Sequence, residues 1–528
     1  MSKFCLEGGV IAALVMFGGL AVTPNLFGAS STPVTPATMP RVGTIDERFQ
    51  SFNIEMVEVT GGRFWAPYKQ SATAAAEPSA AKLSVPAGMD PSLYRYRAPV
   101  DLSNVRLRKL AAALGPAYVR VSGTWANSTY FQDSDEAAPA APPTGFGSVL
   151  TRKEWKGVVD FSHAVDAKIV TSFAVSGGVR NAEGVWTLDE AGKFLAYTKT
   201  VGGNIAAAEF FNEPTFASIG GAPKDYDGAA YGRDYRAFHA FAKANAPEMV
   251  ILGPGSVGET GLASGMRLVK TEDMLSQQGS EVDAFSYHFY GGVSQRCVRP
   301  GAVPQITADA ALSEGWLSRT NRDEAFYEKL RDRFEPGKPM WLTETGETAC
   351  GGNPWASDFI DSFRYLNQLG TLAKHGVQVV IHNTLAASDY ALIDESTLVP
   401  RPNYWAALLW RRMMGTTVLD AGASPSPNLY LYAHCLRGQP GGVALLAINA
   451  DRSASQELDV PVKSERYTLT AKDLLDNKVN LNGRELALGA NDAFPQIKGE
   501  STKAGSVSLA PASITFLAMS NAGNAACR

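Results

Sequence analysis

The chain predicts an α/β protein, a (β/α)8 TIM barrel followed by a C-terminal antiparallel β-sandwich. Three observations carry that expectation. Eight apolar runs of strand length alternate with segments of helical period up to about residue 410, the spacing shortens to alternating runs beyond about 415, and Glu213 and Glu344 follow or end the fourth and seventh long runs.

In chain order the eight runs are S-F-N-I-E-M-V-E-V (51–59), A-Y-V-R-V (117–121), K-I-V-T-S-F-A-V (168–175), I-A-A-A-E-F-F (205–211), M-V-I-L-G (249–253), V-D-A-F-S-Y-H-F (282–289), P-M-W-L-T-E (339–344) and V-Q-V-V-I-H (377–382). Between them N-V-R-L-R-K-L-A-A-A-L, stopped by Gly115-Pro116, and S-D-F-I-D-S-F-R-Y-L-N-Q-L-G-T-L-A-K, with Ser357 as N-cap, read as helices. The stretches P-A-A-P-P-T-G-F-G (139–147) and W-A-P-Y-K-Q-S-A-T-A-A-A-E-P-S-A-A have no period and read as loops. The runs N-L-Y-L-Y-A-H-C-L, G-V-A-L-L-A-I-N-A, E-R-Y-T-L-T-A and S-V-S-L-A-P-A-S-I-T-F-L-A-M then predict the sandwich. The expected division is a leader over 1–29, a linker outside the core over 30–40, the barrel over 41–410 and the sandwich over 411–528, with 41–50 able to lend the sandwich an edge strand.

With 528 residues, 45% of them hydrophobic, the chain can bury a large core. Lys and Arg number 48 against 52 Asp and Glu, a formal net charge of -4, so no nucleic-acid partner is expected. Lys3, the apolar run G-V-I-A-A-L-V-M-F-G-G-L-A-V and the small residues before Ala29 have the order of an export signal, predicting a secreted or periplasmic protein without stable membrane insertion after cleavage. Cys5 precedes that run. The remaining Cys297, Cys350, Cys435 and Cys527 are an even set in an oxidising compartment, where two disulfides are expected and three pairings are possible.

Barrel chemistry sits where strands end and loops begin. Strands four and seven lie on opposite sides of the mouth, so Glu213 and Glu344 can face one another across it. That pairing suits glycoside hydrolysis, in which one carboxyl protonates the leaving oxygen and the other attacks or activates water. Asn212 beside Glu213 suits a donor to a sugar 2-OH, and Pro214 fixes the turn. The N-E-P motif alone is weak; the joint placement gives it meaning. Glu347, in the same T-E-T-G-E-T run as Glu344, competes for the nucleophile's role from a looser loop position.

Longer stretches resemble glycoside hydrolase family 79, the heparanase and β-glucuronidase family among the retaining glycosidases of clan A. They are L-G-P-A-Y-V-R-V-S-G-T (114–124), E-F-F-N-E-P (209–214), F-S-Y-H-F-Y (285–290), M-W-L-T-E-T (340–345), A-C-G-G (349–352), S-D-Y-A-L-I-D-E (388–395), P-N-Y-W-A-A-L-L-W (402–410) and N-L-Y-L-Y-A-H-C (428–435). The resemblance implies a double displacement with Glu213 as acid/base and Glu344 as nucleophile, and Tyr290 as the tyrosine that hydrogen-bonds the nucleophile. It implies that Gly351, Gly352 and Tyr390 hold the uronic acid carboxylate, and that Cys435 pairs with Cys527. The chain departs from the family in reading F-N-E-P where many relatives have G-N-E-P, and in a longer loop after the seventh strand that carries Cys350. Cys297 and Cys350 leave neighbouring strands and can bridge beside the site.

His288 and His382 read as hydrogen-bonding residues of the barrel, since six histidines with no close His/Asp/Cys cluster predict neither metal nor cofactor. Trp125 and Asn127 can line a sugar subsite. Arg180, Arg296 and Arg299 can meet sulfate or carboxylate groups of an extended polymer. N-S-T at 127–129 is a glycosylation sequon. The expected protein is an exported, metal-independent retaining β-glucuronidase of heparanase type, acting inside heparan-type chains or on terminal glucuronate of an oligo- or polysaccharide. Its rivals are a xylanase or hyaluronan-type hydrolase of the same clan and a non-catalytic carbohydrate-binding barrel. Retention further predicts carboxyl groups about 5 to 5.5 Å apart, against roughly 9 Å for inversion. Oligomeric state is not legible in the sequence.

Overall fold

Apolar runs flanked by helices on every side make strands that can be buried on both faces, the signature of a parallel barrel. In the computed structural model, which describes residues 32–68, 85, 89–262, 266–279, 281–298, 306–424 and 426–528, all eight runs do so. They are β1 (Gln50–Glu55), β2 (Ala117–Ser122), β3 (Ala167–Ser172), β4 (Ile205–Glu209), β5 (Val250–Ser256), β6 (Ala284–Tyr290), β7 (Met340–Gly346) and β8 (Val379–His382). Each pairs in parallel with the next, and β8 returns to β1 through Ile381 opposite Ser51, closing the barrel. Behind them run α1 (Val105–Leu114), α2 (Arg152–Ala164), α3 (Asp189–Thr200), α4 (Gly228–Asn245), α5 (Thr271–Gln278), α6 (Arg319–Phe334), α7 (Phe359–Lys374) and α8 (Pro402–Met413).

Several boundaries differ from the periodicity by a few residues, and three of them bear on the site or the domain contact. The first run stops being a strand at Glu55, and Met56–Thr60 is a short helix. A capping box decides this: the Glu55 amide donates to Glu58 Oε2 at 2.7 Å while the Glu55 side chain accepts from the backbone of Glu58. The fourth run ends at Glu209, and Phe210 and Phe211 leave the ladder to pack on Tyr231 of α4. The N-cap of α7 is Asp358 rather than Ser357, and its side chain makes no capping bond.

Beyond the barrel lie β9 (Met414–Leu419), β10 (Leu429–Leu436), β11 (Val443–Asn449), β12 (Gln456–Val460), β13 (Ser464–Thr470), β14 (Gly505–Leu509) and β15 (Ser513–Met519). The larger sheet runs in the order Arg41–Thr44, β9, β10, β11, β15, β13, and the smaller one is Thr32–Pro33, β12, β14. Leu431, Leu445, Leu458, Val507 and Leu517 fill the space between them. The expectation that 30–40 is a linker outside the core is corrected. Pro33 pairs with Asp459, Val34 and Met39 are buried in the sandwich core, and Asn524 Nδ2 donates to the carbonyls of Pro36 and Met39 at 2.8 and 2.9 Å. Apolar Val34 and Met39, spaced among prolines, are the residues that hold this strap down.

Sandwich and barrel meet across α7. A Cβ on Gly370 would run into the ring of Tyr432, whose hydroxyl donates to Asn367 Oδ1 at 2.6 Å and accepts from Thr371 Oγ1 at 2.8 Å. The expected leader lies outside the described residues. Among those described, no helix is long and apolar enough to cross a membrane.

Candidate active site

The site is organised by a charge inside the barrel. Arg120 on β2 is fully buried, and its guanidinium donates to Glu209 Oε2 and Glu344 Oε2, both at 2.8 Å, and to Asn212 Oδ1 at 2.7 Å. Burial alone would favour the neutral form, but the carboxylates of Glu209 and Glu344 outweigh it and keep Arg120 charged. In return burial's pressure on Glu209 is overcome by Arg120 and His288, which hold its carboxyl well below the usual range. Thr343 Oγ1 completes the Glu209 shell at 2.6 Å.

Glu344 ends at the mouth on β7, with its second oxygen accepting from the Tyr290 hydroxyl at 2.7 Å. Glu213 stands opposite, four residues beyond β4, in the left-handed region at φ 49°. A non-glycine residue held there is strained and persists only where its surroundings fix it. Here Pro214 opens the following turn, and Asn127 clamps Asn212 by accepting from its amide at 2.9 Å and donating to its carbonyl at 2.8 Å. His288 Nδ1 lies 3.2 Å from Glu213 and 3.9 Å from Glu344. One oxygen of each glutamate and a ring nitrogen of His288 lie within 4.8 Å of one another.

The two carboxyls differ in surroundings. Burial and the negative charge of Glu344 raise the proton affinity of Glu213, against the His288 hydrogen bond that lowers it, and the net shift is upward. Burial opposes charge on His288 too, but Glu344 and Glu209 push it up to about 9, so the ring is a cation at neutral pH. Glu213, His288 and Glu344 have the donor types of a cation site. Arg120 already donates to the same Glu344 carboxylate, so positive charge there is supplied by the chain itself.

A cavity of roughly 370 Å³ opens above these groups, lined among others by Glu55, Trp65, Trp125, Asn127, Asn212, Tyr290, Asn383 and Tyr390. With Oδ1 committed to Arg120, the Asn212 amide has its NH2 left to donate into it. Asn383 Nδ2 bridges the hydroxyls of Tyr290 and Tyr390 at 2.9 and 3.1 Å. Cys297 and Cys350 are joined, as are Cys435 and Cys527. The first disulfide forms part of the cavity wall with Ala349, while Gly351 and Gly352 lie behind it against Trp65, Ser388, Ala356 and Tyr390. Cys350, Gly351 and Gly352 all have positive φ, 65°, 82° and 85°.

The model for the N-terminal domain of glycosyl hydrolase family 79 matches residues 98–370, more than half of the chain. The chain belongs to glycosyl hydrolase family 79. Family 79 relatives include heparanase-like protein 1 of Arabidopsis thaliana, 28% identical over 402 residues covering 71% of this chain and 70% of that protein. Another is the hyaluronoglucuronidase of Hirudo nipponia, 27% identical over 485 residues covering 81% and 92%. Among solved structures, the α-L-arabinofuranosidase of Thermotoga maritima shares the fold with a TM-score of 0.60 at 13% identity, covering 93% of this chain and 100% of that one.

Within the family 79 barrel several expected residues fall elsewhere. Glu347 is fully buried beneath the mouth and accepts from Thr348 Oγ1 and from the backbone and side chain of Asn353, so it ties down the loop and does not line the cavity. Arg180 pairs with buried Asp234 at 2.8 Å and stacks on Tyr226, away from the cavity. Arg296 does line the cavity, while Arg299 lies outside the described residues. The sequon is corrected as well: Asn127 is fully buried with its amide spent on Asn212, so it cannot carry a glycan. His382 Nε2 donates to the Tyr390 carbonyl at 2.8 Å, and burial pushes its pKa down to about 3.

Sequence reasoning missed Arg120, Glu209, Asn383 and Glu55. Their common signal was a charged or amide group at or just beyond an apolar barrel strand, as in Y-V-R-V and A-A-A-E. Glu55 fits because Gly123, at φ 92°, has no Cβ to collide with its carboxylate.

Proposed function

We propose that this chain is a retaining β-glucuronidase in which Glu344 attacks the anomeric carbon and Glu213 is the acid/base. The observation that carries the reading is the pair of glutamate oxygens within 4.8 Å across the mouth, far closer than an inverting site with an intervening water requires. Arg120 and Tyr290 orient the Glu344 carboxylate, aiming it from below. Glu213, whose proton is retained by burial and by the charge of Glu344, protonates the glycosidic oxygen as the bond breaks.

Once Glu344 becomes a glycosyl ester its negative charge is gone, and the interaction that held the proton on Glu213 disappears. Glu213, left as a carboxylate by giving up that proton, therefore stays ionised beside the His288 cation and takes the proton from the incoming water. The NH2 of Asn212 donates to the sugar 2-OH. Tyr390, on the cavity lining, receives the uronic acid carboxylate, while Gly351 and Gly352, expected beside it, lie behind the wall and shape the turn that carries Cys350. The names heparanase-like and hyaluronoglucuronidase among the relatives support a glucuronic-acid-containing oligo- or polysaccharide as partner. Export to the periplasm or the medium, supported by the leader-like first residues, is part of the same proposal.

The test is hydrolysis of p-nitrophenyl β-glucuronide beside a heparan sulfate oligosaccharide and a panel of aryl β-glycosides. Release of nitrophenol from the glucuronide alone means exo action, and shortened oligosaccharides mean endo action. Xyloside cleavage without glucuronide cleavage would sink the reading. So would activity that survives both Glu213→Gln and Glu344→Gln.

A further inference from the structure

The side of the cavity built on the turn that carries Glu213 is apolar, and among the described lining residues it offers no unengaged cation. Phe216, Ile219, Val257, Leu262 and Met266 build this wall. It is anchored on Glu213 itself, because the Phe216 amide donates to the Glu213 carbonyl at 2.9 Å in the turn that Pro214 opens. The residue that protonates the leaving group is thus carried on the same turn as this wall. At the rim Met266 and Val298 stay 38% and 47% exposed, two of only seven large apolar side chains so placed among the described residues. Apolar groups left open at a pocket mouth are surface that a ligand covers.

Charge points the same way. The one cation among the described lining residues is Arg296, and its guanidinium is engaged, paired with Asp389 at 2.9 Å and stacked 3.8 Å over the Tyr68 ring. Asp90 and Glu344 bring negative charge to the same cavity, beside Glu213, which retains its proton, and Glu55, whose carboxyl burial pushes up. A sulfated sugar would bring further negative charge into that field with no unengaged cation among the described lining residues to receive it.

We infer that the leaving-group subsite takes an apolar or aromatic aglycone, so that the enzyme acts on glucuronides of hydrophobic alcohols and phenols in preference to sulfated chains. The inference rests on the β-glucuronidase reading above and narrows its substrate class.

The test compares kcat/KM of the whole enzyme for benzyl β-glucuronide with that for β-glucuronyl-N-acetylglucosamine, unsulfated and 6-O-sulfated. Benzyl alcohol is a poorer leaving group than a sugar hydroxyl, so any preference for it reports the subsite and not intrinsic reactivity. The expected preference is about ten-fold or more, the factor that goes with burying roughly 60 Å² of apolar surface. Sulfation should lower the rate further. Phe216→Ala should reduce the preference, and Met266→Arg, at an exposed position, should raise the sulfated disaccharide relative to benzyl glucuronide by about three-fold. If the sulfated disaccharide is cleaved as well as benzyl glucuronide, the inference is overturned while the proposed function stands. If no β-glucuronide is cleaved, the proposed function fails and takes the inference with it.

Discussion

A guanidinium sealed from water inside a barrel must be surrounded by acceptors, and Arg120 has Glu209, Glu344 and Asn212 around it. Removing it by Arg120→Met leaves two carboxylates buried without their counter-charge, which should cost about 3–5 kcal/mol of stability in thermal or urea unfolding. Arg120→Lys restores the charge but not the fork, so that variant should fold and still lose kcat on p-nitrophenyl β-glucuronide. Glu213→Gln should lower kcat by about 10² to 10⁴, the range of general acid catalysis, with a smaller loss on nitrophenyl than on alkyl glucuronides. The pH profile follows from the same contacts. Glu213 works as acid while protonated, and its raised proton affinity places the alkaline limb of kcat/KM above the ordinary glutamate value of 4.5. The His288 hydrogen bond lowers that affinity, so His288→Gln should move the limb to higher pH; a limb that stays or moves down would contradict the assignment.

At the scale of elements, the loop after β7 carries most of what the sequence left open. Its register depends on Glu347, which holds Asn353, and on the link between Cys350 and Cys297 in the loop after β6. Burial, with the charge of Asp361 adding, pushes the Glu347 carboxyl up to about 7 from an ordinary 4.5. Below 4.5 the group is neutral in folded and unfolded chains alike and its contribution is fully present; as pH rises through about 7 the unfolded chain has ionised where the buried site resists, and stability falls. The melting temperature should therefore decline across that window, and Glu347→Gln should flatten the decline. Paired Cys297→Ser and Cys350→Ser changes should raise KM for glucuronides more than they lower kcat, because they loosen a wall and leave Glu213 and Glu344 in place. The strands of the barrel were legible because burial on both faces writes an unbroken apolar run. The helix at Met56–Thr60 was not, since M-V-E-V-T alternates like a strand and only the reciprocal contact of Glu55 with Glu58 turns it. Arg120 was hidden for the opposite reason: one charge in Y-V-R-V reads as an edge position until its acceptors, 89 and 224 residues away, come into view.

Across the whole molecule, barrel and sandwich form one body through α7 and Tyr432, and the glutamates on β7 and beyond β4 owe their meeting to closure of β8 on β1. The alternating runs foretold the sandwich, but not that residues 32–39 belong to it, because a stretch rich in Pro, Ser and Thr carries no strand period. Cys435 and Cys527 close a segment of 92 residues within this domain, and removing that link by Cys435→Ser with Cys527→Ser should cost about 2–5 kcal/mol in unfolding experiments. Pro36 and Asn524, hydrogen-bonded in the finished protein, are separated by 488 positions. A ribosome therefore delivers the first half of that contact long before the second, and the barrel's own ladder lies wholly in the interval. Translation halted near residue 500 would release a closed barrel trailing a half-built sheet with its edges bare, a form that proteases and chaperones could recognise by its unpaired backbone while the catalytic half already looked native.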